Sequence, residues 1–123
     1  MAKFNSFEEI QSWEKARELN QLIYRITNDK ISFSQDFALR DQIRRSSISI
    51  SSNIAEGFER ETNKEFIRFL YIAKASAGEC RSQLYLAYDL KYIEEKQFEE
   101  LKGKVNEISK LISGLIKYLS KTI

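Results

Sequence analysis

The chain has 123 residues, 42% hydrophobic and 31% charged, which is the size and balance of one folded domain and not of a disordered chain. Lys plus Arg number 20 and Asp plus Glu 18, a net charge of +2, so bulk positive charge cannot drive nucleic-acid binding and any basic surface must come from placement. With no proline, four glycines, no histidine and one cysteine, the chain lacks the turn residues of a β-sandwich or barrel, the ligands of most zinc sites, the usual Ser-His and Cys-His catalytic pairs, and an intrachain disulfide.

The single Cys80 fits a reducing compartment. Met1-Ala2-Lys3-Phe4-Asn5 runs directly into Glu8 and Glu9 without an apolar segment, so no signal peptide is expected. No stretch approaches the roughly 20 apolar residues that a membrane span needs. These features predict a cytoplasmic protein without a membrane partner.

Ser12 is positioned to cap a first helix over about residues 13–27, where Trp13, Ala16, Leu19, Ile23 and Ile26 recur at helical spacing. Ahead of it, Ser6-Phe7-Glu8-Glu9 has the form of a capping box and predicts a separate short turn. Residues 28–34 read as a break.

A second helix is expected over about residues 36–57, with Ser34 as its cap and Gly57 as its C-terminal cap residue. Leu39, Ile43, Ile50, Ile54 and Phe58 form one apolar line. Phe37, Ile48 and Ala55 form another, about 120° round the axis. Arg45, Ser49, Asn53, Glu56 and Arg60 make a polar stripe between them.

Thr62-Asn63-Lys64-Glu65 reads as a capping box that opens a third helix over about residues 63–90. Phe66, Phe69, Leu70, Ala73, Ala77, Cys80, Leu84 and Ala87 follow helical spacing. Its middle is small, Ala73, Ala75, Ser76, Ala77 and Gly78. Glycine in a helix interior costs about 1 kcal/mol against alanine, so a closely packed neighbour is expected at Gly78.

A fourth helix covers about residues 94–120. Phe98, Leu101, Val105, Ile108, Ile112, Leu115 and Leu119 form a heptad seam. Glu94, Glu95, Glu99 and Glu100 near its start and Lys110, Lys117 and Lys121 towards its end complement the helix dipole.

Together these elements predict one all-α domain over residues 1–123, an antiparallel up-down-up-down four-helix bundle. Its apolar residues exceed one small core: the second line of the second helix, Ile67 and Tyr71 on the third, and Leu111, Ile116 and Tyr118 on the fourth. That surplus predicts a homo-oligomer, with Phe37, Ile48, Ala55, Ile67 and Tyr71 as interface candidates; the alternative is a wider core stripe in a monomer.

The segment Gln42-Ile43-Arg44-Arg45-Ser46-Ser47-Ile48-Ser49-Ile50-Ser51-Ser52-Asn53-Ile54-Ala55-Glu56-Gly57-Phe58-Glu59-Arg60 resembles the signature of the four-helix bundle proteins encoded by intervening sequences in bacterial 23S ribosomal RNA genes. Trp13-Glu14-Lys15-Ala16 with Leu19 and Tyr24 resembles the family's first helix. Lys64-Glu65-Phe66-Ile67-Arg68-Phe69-Leu70-Tyr71-Ile72-Ala73 with Ser76, Glu79 and Leu84 resembles its third. The family often carries proline before the second helix and within a Ser-Ile-Pro-Ser stretch. Here those positions read Ile31-Ser32-Phe33-Ser34 and Ile50-Ser51-Ser52, and Ser51 allows an uninterrupted helix. The resemblance implies a ring-shaped homopentamer. It is also similar to accessory proteins of diversity-generating retroelements, which implies contact with RNA or DNA beside a protein partner such as a polymerase.

The basic pairs Arg40 with Arg44 and Lys64 with Arg68, together with Lys74 and Arg81, are the nucleic-acid-binding candidates, and Arg60 can extend them. An ordinary solvated face is the competing reading, because Asp41, Glu61 and Glu65 are interleaved. The stripe Arg45, Ser49, Asn53, Glu56, Arg60 reads either as a contact surface or as a structural network between helices. Tyr85, Tyr88 and Tyr92 either stack on bases or form a half-buried helix face. Cys80 fits a small core residue. No catalytic residue, metal site or cofactor is expected. The function implied is a non-enzymatic nucleic-acid-binding accessory protein; the alternative is an interaction scaffold without nucleic-acid contact.

Overall fold

A computed structural model describes residues 4–121. It contains a 3-10 turn (Phe7–Glu9) and five α-helices: α1 (Gln11–Asp29), α2 (Ile31–Ser34), α3 (Phe37–Phe58), α4 (Asn63–Asp89) and α5 (Glu95–Ser120). Four of them are long, and no strand occurs among the described residues, so the chain is all-α. α1 packs on α3 and α5, and α4 packs on α3 and α5, which closes a helical bundle around one core.

The apolar lines bury as their spacing requires. Leu19 and Ile23 of α1, Ile43, Ile50 and Ile54 of α3, and Leu70, Ala73, Ala77 and Cys80 of α4 meet in the interior. On α5 the buried line follows the heptad seam from Phe98 to Ile112, then passes to Ile116 and Leu119 while Leu115 is half-buried. A straight helix drifts by about 20° per heptad against a strict seven-residue repeat, which is why the line steps from position 115 to 116. Ile116 therefore belongs to the core and not to the expected apolar surplus.

Several helix ends differ from the expectation. α1 begins at Gln11, so Ser12 lies inside its first turn; extended Ile10 takes the cap position without a side-chain bond. α1 continues to Asp29, and Thr27 Oγ turns back onto the Ile23 carbonyl at 2.8 Å. The expected break is partly helical: α2 carries Phe33 into the core, where its ring stacks on Tyr92 at 5.0 Å. Asp36, not Ser34, caps α3, its Oδ1 accepting from Leu39 N at 3.1 Å. Before α1 the short turn forms, but Ser6 makes no capping bond. Thr62 caps α4, accepting from Glu65 N at 3.2 Å, while the Glu65 side chain turns to Arg68 and leaves the box half closed. α5 opens on a complete box between Glu94 and Gln97.

Neither glycine singled out above takes its expected role. Gly57 is not a cap; it lies within α3, buried, and its φ is not positive. A Cβ there would stand 2.6 Å from Phe69 Cβ and 3.0 Å from Phe66 Cδ1, so its small size is required by the approach of α4. Gly78 is exposed, and a Cβ there would meet nothing within 4 Å, so no neighbour in this chain compensates for it. The residue that adopts the left-handed conformation is Lys91, with φ 64°, in the turn after α4. There Tyr92 N reaches the Ala87 carbonyl and Lys91 N the Tyr88 carbonyl, both at 2.9 Å, ending the helix.

Gly57→Ala is expected to lower unfolding stability by about 1–3 kcal/mol, because the added methyl overpacks a fixed contact. Gly103→Ala, where the site is open, is expected to raise stability by up to about 1 kcal/mol. Urea midpoints of the two variants check this. Equal midpoints would show that α3 and α4 separate freely at Gly57.

Candidate nucleic-acid interface

The serines of α3 turn inward, to two neighbours. Towards α1, Ser47 Oγ donates to Asn20 Oδ1 at 2.7 Å, and Asn20 Nδ2 donates to Ser51 Oγ at 3.0 Å. Towards α4, Ser46 Oγ donates to Gln83 Oε1 at 2.7 Å, and Ser49 and Ser76 hydroxyls lie 2.8 Å apart. Ser46, Ser47 and Ser51 are buried. Ser51 stands in an unbroken helix and also donates back to the Ile48 carbonyl at 3.0 Å.

Apart from the Ser49–Ser76 contact, the bonds of the polar stripe are local in sequence. Asn53 Nδ2 donates to Ser49 O and Oγ at 2.8 and 2.9 Å, and Arg60 pairs with Glu56 at 3.2 Å. Arg45 is exposed.

Arg40 and Arg44 stand on the first turns of α3 and are engaged with the fold. Arg44 Nε donates to Thr27 Oγ and its Nη2 to Asn28 Oδ1, both at 2.8 Å, with the guanidinium 4.4 Å from the Tyr24 ring centre. Arg40 donates to the Ser34 carbonyl at 3.0 Å and to Asp41 at 2.9 Å. Nearby, Asp36 Oδ2 accepts from the Tyr92 hydroxyl at 2.9 Å, which raises the Tyr92 pKa. Lys64 and Arg68 begin α4, beyond the far end of α3; about 27 Å of helix separates Arg40 from Phe58. The two pairs therefore do not form one patch on a single chain. Arg60 and Arg68 both lie against the Phe69 ring, at 4.7 and 4.6 Å. The Arg68 hydrogen bond holds the Glu65 carboxyl below its ordinary pKa.

Lys74 and Arg81, candidates expected to extend the basic pairs, line one hollow. They line an open groove of about 490 Å³ between α4 and α5, with Asn106, Ser109, Lys110 and Ser113. Arg81 Nη1 donates to Asn106 Oδ1 at 2.8 Å. Lys110 and the α5 hydroxyls were not among the sequence candidates. Their signal was the recurrence of Asn106, Ser109, Ser113 and Ser120 along one line of α5, with Lys110 and Lys117 seven residues apart.

Among the interface candidates, Phe37 is 61% and Tyr71 57% exposed, and Ile48 is exposed; Ala55 and Ile67 are half-buried, Ile67 against the core. The tyrosine line divides. Tyr88 stacks on Phe98 at 4.7 Å and Tyr92 on Phe33, while Tyr85 is exposed and meets Phe98 edge-on. No group of three or more Cys, Asp or Glu side chains that could hold a metal ion occurs among the described residues, and no described helix is long and apolar enough to cross a membrane.

The family model for the 23S rRNA-intervening sequence protein matches residues 8–114. The chain belongs to that family. The fold agrees: a crystal structure of a protein of unknown function from the S23 ribosomal protein family of Bacteroides thetaiotaomicron has a TM-score of 0.81 and 30% identity, covering 86% of this chain and 95% of that one. No curated protein matches the chain. In this intervening-sequence protein the serine-rich signature of α3 makes the seams to α1 and α4, and its Gly57 admits Phe69.

Cys80 is fully buried, and burial pushes its thiol up to about 12. Alkylation by iodoacetamide at pH 8 is expected to be negligible in the folded protein and prompt in urea; equal rates would contradict the burial. The raised value also fixes the sign of a pH dependence. The unfolded thiol loses its proton near pH 9 and the folded one near 12, so this contribution is complete below about pH 9 and falls away towards pH 12.

Proposed function

We propose that this intervening-sequence protein is a non-enzymatic, oligomeric accessory protein that binds nucleic acid in the cytoplasm. Its subunit is an antiparallel up-down-up-down bundle. On α3 and α4, Ser46 meets Gln83, Ser49 meets Ser76 and Phe58 meets Phe66, so rising numbers on one helix meet falling numbers on the other.

The observation that carries the binding role is the α4–α5 groove, which Lys74, Arg81 and Lys110 line and where no carboxylate is among the lining residues. Arg and Lys contacts to phosphate give affinity without reading sequence. The absence of histidine from the sequence and the burial of Cys80 support a role without catalysis.

A ring-shaped homopentamer repeats the groove and multiplies a modest affinity. Support for assembly comes from the outer face of α4. Tyr71, Ala75, Gly78, Ser82 and Leu86, spaced four, three, four and four, are all exposed. Phe37 and Ile48 add exposed apolar surface on α3. A second copy seated on the α4 face also gives exposed Gly78 a close neighbour.

The test is native mass together with titration of a structured RNA and a DNA duplex of equal length at low and near-physiological salt. A five-subunit mass is expected, with binding that falls steeply as salt rises. Tyr71→Lys/Leu86→Lys is expected to shift the mass to the monomer. No binding of either nucleic acid at low salt would overturn the reading, and co-purification with a protein partner through nuclease and high salt would replace it with the scaffold reading.

A further inference from the structure

The α4–α5 groove extends past Lys74 and Ser113. Those two residues also line a second hollow of about 280 Å³, which adds Tyr71, Ile116, Lys117 and Ser120. The two hollows form one track. Its order is set by shared residues: Arg81 with Asn106 at one end, Lys74 with Ser113 in the middle, Lys117 with Tyr71 at the other. On α5 the track runs from Asn106 to Ser120, about 21 Å of helix.

Four cations line it: Arg81, Lys110, Lys74 and Lys117. None of the four pairs with a carboxylate among the described residues, and neither hollow has an acidic lining residue. Side chains of one sign, held together on two rigid helices, attract a linear polyanion more strongly than a single anion. Asn106, Ser109 and Ser113 offer hydrogen-bond donors at intervals between the charges, suited to phosphate oxygens.

The width of the track limits its occupant. The axes of packed helices lie about 8–10 Å apart, so the valley over their seam takes one backbone, whereas the two backbones of a duplex lie about 12 Å apart across its major groove and cannot both enter it. An extended strand fits along that valley with its phosphates towards the cations. We infer that the α4–α5 groove holds the sugar-phosphate backbone of a single strand of RNA or DNA, without reading its sequence. This rests on the nucleic-acid reading above and narrows it to one site and one form of ligand.

The test is fluorescence anisotropy with labelled oligo(dT), oligo(U) and a DNA duplex, each carrying the same number of phosphates, at low salt. The proteins are wild type, Lys110→Glu/Lys117→Glu and, as an equal change of charge at exposed sites outside the groove, Arg25→Glu/Lys96→Glu. The wild type is expected to bind either single strand at least about tenfold more tightly than the duplex. The groove variant is expected to lose at least about tenfold, and its slope of log affinity against log salt is expected to fall by about 1.4, two contacts for a single strand. The control variant is expected to keep at least half of the wild-type affinity, and unchanged melting temperatures of both variants establish that they fold. Three results would overturn the inference: equal loss in the two variants, unchanged binding in the groove variant, or equal wild-type affinity for duplex and single strand. In each of these the wild type still binds, so nucleic-acid binding survives. A wild type that binds none of the three overturns both.

Discussion

The hydrogen bonds made by the serines of α3 are the constraint on which the remaining geometry depends. A serine is small enough to let a neighbouring helix approach closely, but its hydroxyl, once buried, needs a partner. Asn20 supplies one side, joining Ser47 and Ser51 from α1. Gln83 and Ser76 supply the other from α4. α3 is thereby fixed to two helices at once, and Ile43, Ile50 and Ile54 of the same helix fill the core. Gly57 extends the close approach to the end of α3, where Phe69 occupies the space a side chain would take. With α4 fixed in this way, its contact with α5 positions the basic groove.

The same bonding divides the charged residues into two groups. At the start of α3, Arg40 and Arg44 tie α3 to the end of α1 and to α2, beside the Asp36–Tyr92 hydrogen bond. Arg60 and Arg68 are taken up by Phe69, Glu56 and Glu65. The cations of the α4–α5 groove have no such carboxylate partners among its lining residues. A net charge of +2 is therefore compatible with one locally basic surface, because many of the acids are spent at helix starts and in short-range pairs.

The periodic features of the sequence carried most of this fold. Four long helices, their apolar lines and the Thr62 cap follow from local spacing, which does not depend on partners. What spacing could not supply were contacts made across helices. Gly57 read as a cap because its close neighbour, Phe69, belongs to another element. Phe33 fell in an expected break because the demand for its ring comes from Tyr92, far along the chain. The basic pairs looked equivalent because i, i+4 spacing is blind to whether an arginine faces Thr27 or solvent. The groove was half legible: Lys74 and Arg81 were candidates, whereas Lys110 and Lys117 read as complements to a helix dipole.

The most direct test of the seam is a double-mutant cycle between Asn20 and Ser47, measured by urea unfolding of Asn20→Ala, Ser47→Ala and the pair. Each single change strands a polar group that the fold buries or half-buries, at about 1–3 kcal/mol, and Asn20→Ala is expected to be the larger because it also releases Ser51. The predicted interaction energy is about 1 kcal/mol or more, the double variant losing less than the sum of the two. Additivity within about 0.3 kcal/mol would contradict the account, since it would mean that α3 is fixed by its isoleucines alone.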